Sequence, residues 1–222
     1  MTMRTKFDEQ LNILNESLVE MGKTVEVAIR DANKALVERD IDLAKRIMAS
    51  DDTIDDMEKE IERLCLKIIL RQQPVAGDLR LVSAVMKMIT DLERIGDHAA
   101  DISELTIFMA QTGKPYIKKL EHIPMMAKET IEMLNSAIEA FIKKDVDLAK
   151  KVIAKDDIVD DLFTQIKAEL VELIKQDSSN TDQAVDFIMI AKYFERIGDH
   201  AVNIAEWVEF SLTGVHKEIK VM

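Results

Sequence analysis

The chain has 222 residues, 47% hydrophobic and 32% charged, with only 6 Gly, 3 Pro and a net charge of −12. That balance leaves little material for turns and suits long amphipathic helices, while the negative field repels phosphate backbones, so nucleic acid is excluded and cations or basic protein surfaces are favoured. The single Cys65 allows no internal disulfide and argues against a thiolate metal site, which suits a reducing cytosol. No apolar run approaches the roughly 18 residues needed to insert in a bilayer, and acids stand where a signal peptide would be apolar, so a soluble cytoplasmic protein is expected.

Phe7, Leu11, Leu14, Leu18, Met21, Val25, Ala28, Ala32 and Ala35 recur at steps of four and three, one apolar stripe on a first helix reaching about residue 38. Asp40 is a candidate N-cap for a second helix, whose stripe of Leu43, Ile47, Ile54, Met57, Ile61, Leu64 and Ile68 runs out near Arg71. Gln72 to Asp78 contains Pro74 and Gly77 and permits a tight reversal. A third helix carries Leu81, Val85, Met88, Leu92, Ile95, Ala99, Ile102 and Thr106, and Thr112-Gly113-Lys114-Pro115 stops it, with Gly113 suited to the left-handed position past a helix end.

Pro124 fits the first turn of a fourth helix running to about Lys144, with Ala127, Ile131, Leu134, Ile138 and Phe141 inward. A fifth helix ends near Lys175. The polar run from Asp177 to Asp182 makes the next turn, with Ser179 or Thr181 as candidate caps, and a sixth helix carries Phe187, Ile190, Phe194, Ile197, Ala201, Ile204 and Val208.

The two halves are copies. The string Glu-Arg-Ile-Gly-Asp-His-Ala begins at Glu93 and again at Glu195, 102 residues on. Asp40-Ile41-Asp42-Leu43-Ala44-Lys45 likewise matches Asp145 to Lys150, 105 residues on, so three residues are missing from the second copy's last turn. The fold expected is all-α: two pseudo-symmetric three-helix bundles from an internal duplication, covering 1–112 and 113–222.

With 42 acids in 222 residues, chance alone supplies about eight acidic i,i+4 pairs, so only position and repetition carry weight. At 100° per residue Glu93, Asp97, Asp101 and Glu104 fall within about 80° of one another and roughly 150° from the apolar stripe, an outward ridge. The sixth helix repeats it with Glu195, Asp199, Asn203 and Glu206, Asn203 keeping an oxygen but losing a charge. Helices two and five add Asp51-Asp52 with Asp55-Asp56 and Asp156-Asp157 with Asp160-Asp161, of which Asp51, Asp55, Asp156 and Asp160 flank the stripe and can face a neighbouring helix.

Such a ridge is ordinarily a solvated helix face. Against that, like charges at i,i+4 destabilise a helix by roughly 0.2–0.5 kcal/mol per pair, and a bound cation would offset the repulsion. Carboxylates without cysteine favour hard ions with oxygen ligands, such as Mg²⁺, Ca²⁺, Mn²⁺ or iron. Gly96 and Gly198 stand where a ferritin-like Glu-x-x-His would need histidine, which disfavours oxidase chemistry. His98 and His200 sit about 100° around the helix and read as capping the core edge or supporting the carboxylates, and the two glycines read as points of close helix packing. No Gly-rich phosphate loop, Ser-His-Asp set or nucleophilic Cys context is present, so no enzyme is expected.

These residues resemble the PhoU family of phosphate-specific transport accessory and regulatory proteins. The resemblance lies in Gln72-Gln73-Pro74-Val75-Ala76-Gly77-Asp78-Leu79-Arg80, both Glu-Arg-Ile-Gly-Asp-His-Ala strings and the acidic clusters on helices two and five, and it covers essentially the whole chain. It implies two three-helix bundles with surface metal sites, in some members multinuclear iron clusters. The matching positions are Asp51, Asp55, Glu93, Asp97 and Asp101 in the first half and Asp156, Asp160, Glu195 and Asp199 in the second, with Asn203 departing from the pattern of Asp101.

The ions implied are divalent or trivalent: iron, manganese, magnesium or zinc. The role implied is repression of phosphate uptake and of the phosphate-starvation response, by contact with the phosphate ABC transporter's ATPase and a sensor histidine kinase. A homodimer that reaches the inner face of the membrane through these partners completes the expectation. The alternatives are a metal-storage or redox helical protein and a metal-free helical scaffold.

Overall fold

Helix ends in this chain are set by matched local devices. At the end of the first helix Arg39 adopts φ 57°, Asp40 N–H returns to Ala35 O at 2.9 Å, and the Asp40 carboxylate then accepts the Leu43 N–H at 2.9 Å to open the next helix. The second copy repeats this with Lys144 at φ 54°, Asp145 N–H on Ala140 O at 2.9 Å and Leu148 N–H on Asp145 Oδ1 at 3.0 Å. Asp40 acts as the N-cap expected of it, and Asp145, its counterpart in the repeat, does the same.

The computed structural model describes residues 3–72, 74, 76–119 and 121–216, the side chains of 3–6 and 72 excepted. Its helices are α1 (Met3–Glu38), α2 (Ile41–Gln72), α3 (Gly77–Gln111), α4 (His122–Lys143), α5 (Val146–Gln176) and α6 (Thr181–Thr213), with a 3₁₀ turn at Ser178–Asn180 and no strand among the described residues. Gln73 and Val75, part of the reversal before α3, lie outside the described residues. Gly113, just past α3, has φ 66°, the left-handed position assigned to it. No described helix is long and apolar enough to cross a membrane.

The turn before α6 departs from expectation: neither Ser179 nor Thr181 caps the helix. The 3₁₀ turn runs straight into α6, so Thr181 is already its first residue, its backbone N–H meets Ser178 O, and its hydroxyl donates to that same carbonyl at 2.7 Å. The capping acceptor lies earlier, at Asp177, which takes the Ser179 N–H at 2.9 Å.

Within each half every helix touches the other two, and the halves join through α3 on α6 and α1 on α4. Each half is therefore a three-helix bundle, and α2 and α5 lie on the outer flanks. The core holds the stripe residues, among them Leu14, Leu18, Ile68, Met88, Leu92, Phe187 and Phe194 at full burial. Cys65 is buried among them as a free thiol, and burial pushes it up to about 12. The segment between the bundles is held down by the Tyr116 hydroxyl, which donates to Leu36 O at 2.8 Å, and by Gln183, whose amide bonds Ile117 N–H and Pro115 O.

Candidate functional site

The acidic ridges are not on an outward face. Because α3 packs on α1, α2 and α6, its buried surface is far wider than one stripe and includes Ile89, Gly96, His98 and Ser103 as well as the stripe residues. The carboxylates of Glu93 and Asp97 are 17% and 28% exposed and lie in the groove between α2 and α3. The same holds in the second half, where Glu195 is 13% exposed in the α5–α6 groove and Glu206, expected on the ridge, is buried at 7%. Of the ridge set, Glu104 and Asp199 are the exposed members.

Two glycines let the helices close on these grooves. A Cβ on Gly96 would lie 2.9 Å from Ile54 Cδ1 and 3.5 Å from Asp51 Oδ1; on Gly198 it would lie 3.4 Å from Val159 Cγ1 and 3.5 Å from Asp156 Oδ1. Close packing, the role read from their position in mid-helix, is forced at Gly96, whereas the contacts a Cβ would meet at Gly198 are of ordinary length. It carries Asp51 and Asp156 inward beside the carboxylates of the facing helix.

The first groove brings Asp51, Asp55, Glu93 and Asp97 side by side, with Asp101 near enough for its charge to act on Asp51. Oxygens of Asp55, Glu93 and Asp97 lie within 4.8 Å of one another. Loss of hydration, then Asp97, Asp55, Asp52 and Asp101, raises the Asp51 carboxyl to about 6. Loss of hydration and Asp97 raise Glu93 to about 7, against the pull of Arg94. Arg94 Nη1 donates to Asp97 Oδ2 at 2.8 Å, and its Nε is 3.4 Å from Glu93 Oε2; Lys59 Nζ is 3.5 Å from Asp55.

The second groove gathers Asp156, Asp160, Glu195 and Asp199. Asp156 is raised to about 6 by loss of hydration, then by Asp160, Asp199 and Glu195. Asp199 is exposed by area, yet desolvation against α5 and the Glu195 charge still raise it, with Lys192 pulling the other way. Asn203 is not part of this group: its amide Nδ2 donates to Asp91 Oδ1 at 3.0 Å across the α3–α6 seam, where His200 Nδ1 also donates to Asp91 at 2.8 Å.

That seam holds the two histidines. His98 Nδ1 sits 3.3 Å from Asp101 Oδ2, and its ring is 5.5 Å from Tyr193 and 5.6 Å from His200. Burial pushes the His98 pKa down, and the Asp101 contact opposes it. His98 thus supports Asp101 from the seam side, whereas His200 bonds Asp91, which lies outside both carboxylate sets. Asp91 and Lys192 were not singled out from the sequence, although the 102-residue offset pairs Asp91 with Tyr193 and Thr90 with Lys192, and those unlike pairs were visible.

The donor set suits a hard cation. Asp51 Oδ1 and its counterpart Asp156 Oδ1 are both buried without a hydrogen-bond partner, a costly state for a carboxylate oxygen that a coordinated ion would satisfy. A cleft of about 520 Å³ lies elsewhere, at the end of α3 beside Phe108, Tyr116, Gln183 and Asp186, and shares no residue with the carboxylate sets.

Comparison with known proteins bears on what such a molecule does. The PhoU domain model matches twice, at residues 18–106 and 123–208. A phosphate-specific transport system accessory protein PhoU homolog of Aquifex aeolicus is 40% identical over 191 residues, 86% of each chain. One of the same description from Clostridium acetobutylicum is 36% identical over 95% of this chain and 96% of its own. The crystal structure of PhoU from Pseudomonas aeruginosa matches with a TM-score of 0.90 at 34% identity, over 94% of this chain and 100% of that one. The chain belongs to the PhoU family.

Proposed function

We propose that this chain is a non-enzymatic regulator of phosphate uptake that represses the phosphate-starvation response when phosphate is plentiful. It acts in the cytoplasm as a homodimeric adaptor between a phosphate ABC transporter's ATPase and a sensor histidine kinase. One observation carries the reading: both halves match the PhoU domain, and relatives named as accessories of the phosphate-specific transport system align with it over most of their length.

The carboxylate grooves are its cation sites, for iron, manganese, magnesium or zinc, held by Asp51, Asp55, Glu93, Asp97 and Asp101 and by Asp156, Asp160, Glu195 and Asp199. A bound ion would supply positive charge on a surface whose net charge is otherwise −12, admitting an anionic partner or phosphate. The chain's own part is to hold the oxygens together across α2–α3 and α5–α6, at the spacing that Gly96 and Gly198 permit. Glu93 and Asp51, raised to about 7 and about 6, would give up their protons to hold a cation.

The test is co-purification of the tagged chain with the purified transporter ATPase and the sensor kinase, in Mn²⁺ and in chelator. Retention of both partners in Mn²⁺, weakened in chelator, is expected. Failure to retain either partner in both conditions contradicts the adaptor reading.

A further inference from the structure

The two grooves differ in charge at several matched positions, among them Lys59, which stands beside Asp55 and is Thr164 in the second half. The offsets of 105 residues between α2 and α5 and 102 between α3 and α6 pair Glu58 with Phe163, Thr90 with Lys192 and Asp101 with Asn203. In the first half the Thr90 hydroxyl donates to Glu58 Oε1 at 3.0 Å, which keeps a further carboxylate beside Glu93. In the second half Lys192 Nζ lies 5.4 Å from the centroid of the Phe163 ring and is ion-paired with Glu195. Burial, then the Glu195 charge, raises the carboxyls of Asp160 and Asp199, and the same ammonium opposes that rise.

The first groove has counter-charges as well, but of a different kind. Arg94 and Lys59 are 55% and 51% exposed, so both can swing into water when an ion arrives. Lys192 is 37% exposed and packed over an aromatic face that favours its charge, so moving it breaks a cation–π contact as well as the ion pair. Among the described residues only the first groove brings three carboxylate oxygens within 4.8 Å of one another.

We infer that the grooves are unequal: the α2–α3 groove is the tight site for multivalent cations, whereas in the α5–α6 groove the Lys192 ammonium acts as a built-in counter-ion and keeps cation binding weak. This rests on the metal-binding reading above and adds that Lys192 sets the difference. A divalent ion entering the second groove meets a fixed positive charge, and Glu195 must first leave its partner. The repulsion scales with the product of the charges, so the ion is disfavoured where a proton or monovalent ion is tolerated.

Calorimetric titration of the full, chelator-stripped chain with Mn²⁺, with free Mn²⁺ followed by electron paramagnetic resonance, tests this. Wild type, Asp97→Asn, Asp199→Asn, Lys192→Thr, Lys192→Arg and Lys192→Thr with Asp199→Asn are compared, each with a thermal melt. Lys192→Met replaces Lys192→Thr if the latter melts without cooperativity. Asp97→Asn should remove the tight class and Asp199→Asn only the weak one. Lys192→Thr should tighten the weak class by about tenfold or more. Adding Asp199→Asn should cancel that gain, and Lys192→Arg, which keeps the charge, should show none. Two equally tight grooves in wild type, or no gain on removing the ammonium, overturn the inequality alone. No Mn²⁺ uptake by any variant overturns the metal reading together with it.

Discussion

Gly96 stands where any side chain would press on Ile54: a Cβ there would come within 2.9 Å of Ile54 Cδ1, and within 3.5 Å, an ordinary contact, of Asp51 Oδ1. Gly198 stands in the same relation to Asp156 Oδ1, also at 3.5 Å, but its aliphatic neighbour Val159 is no closer than 3.4 Å. The bundle halves thus use one device with different tolerance.

Alanine at the two positions should therefore act with opposite sign. Replacing a helical glycine gains about 1 kcal/mol of propensity at either site. At Gly96 the added methyl forces the buried Ile54 aside, an overpacking cost of about 1–3 kcal/mol, so Gly96→Ala should destabilise or at best break even. Gly198→Ala meets ordinary contacts and should stabilise by up to about 1 kcal/mol. Denaturant midpoints at constant m-value check both.

Asp91 should be a linchpin of the α3–α6 seam. It is 13% exposed and accepts from both His200 and Asn203, so Asp91→Ala leaves two half-buried donors without their acceptor. A loss of about 1–3 kcal/mol is expected, with Asp91→Asn recovering part of it because its carbonyl oxygen can still accept. Chemical unfolding measures this; a change within about 0.5 kcal/mol, the range of ordinary surface substitutions, would show that the seam does not depend on it.

Stability without metal should fall as pH rises. Asp51 and Asp156 titrate near 6 and Glu93 near 7 in the folded chain, above their ordinary 3.8 and 4.5. The native state then holds protons that the unfolded chain has released, so this contribution is full below about pH 4 and is lost through about pH 7. A melt series in chelator from about pH 5 to about pH 8 should decline, and Asp51→Asn should flatten the decline. Added Mn²⁺ should reverse the trend, because it displaces the same protons.

Much of this molecule could be read from the chain, and the reasons are local. Asp40 and Asp145 announce their helices because an N-cap acts within three residues, and the duplicated strings fix the register of one half on the other. What the chain hid depends on which helices meet. A single-stripe reading places Glu93 and Asp97 in water because it cannot know that α3 has three neighbours. Asn203 looked like a weakened ligand until its partner, Asp91 on the other bundle, was in view. Lys192 stood three residues before Glu195 in plain sight, but its weight depends on Phe163 coming from a different helix.

The most direct measurement is the metal content of the chain purified without chelator, by elemental analysis, for wild type and for Asp97→Ala combined with Asp199→Ala. Metal retained by the wild type and lost from the folded double variant is the predicted result. Equal metal content in the two would contradict the assignment of these grooves as the cation sites.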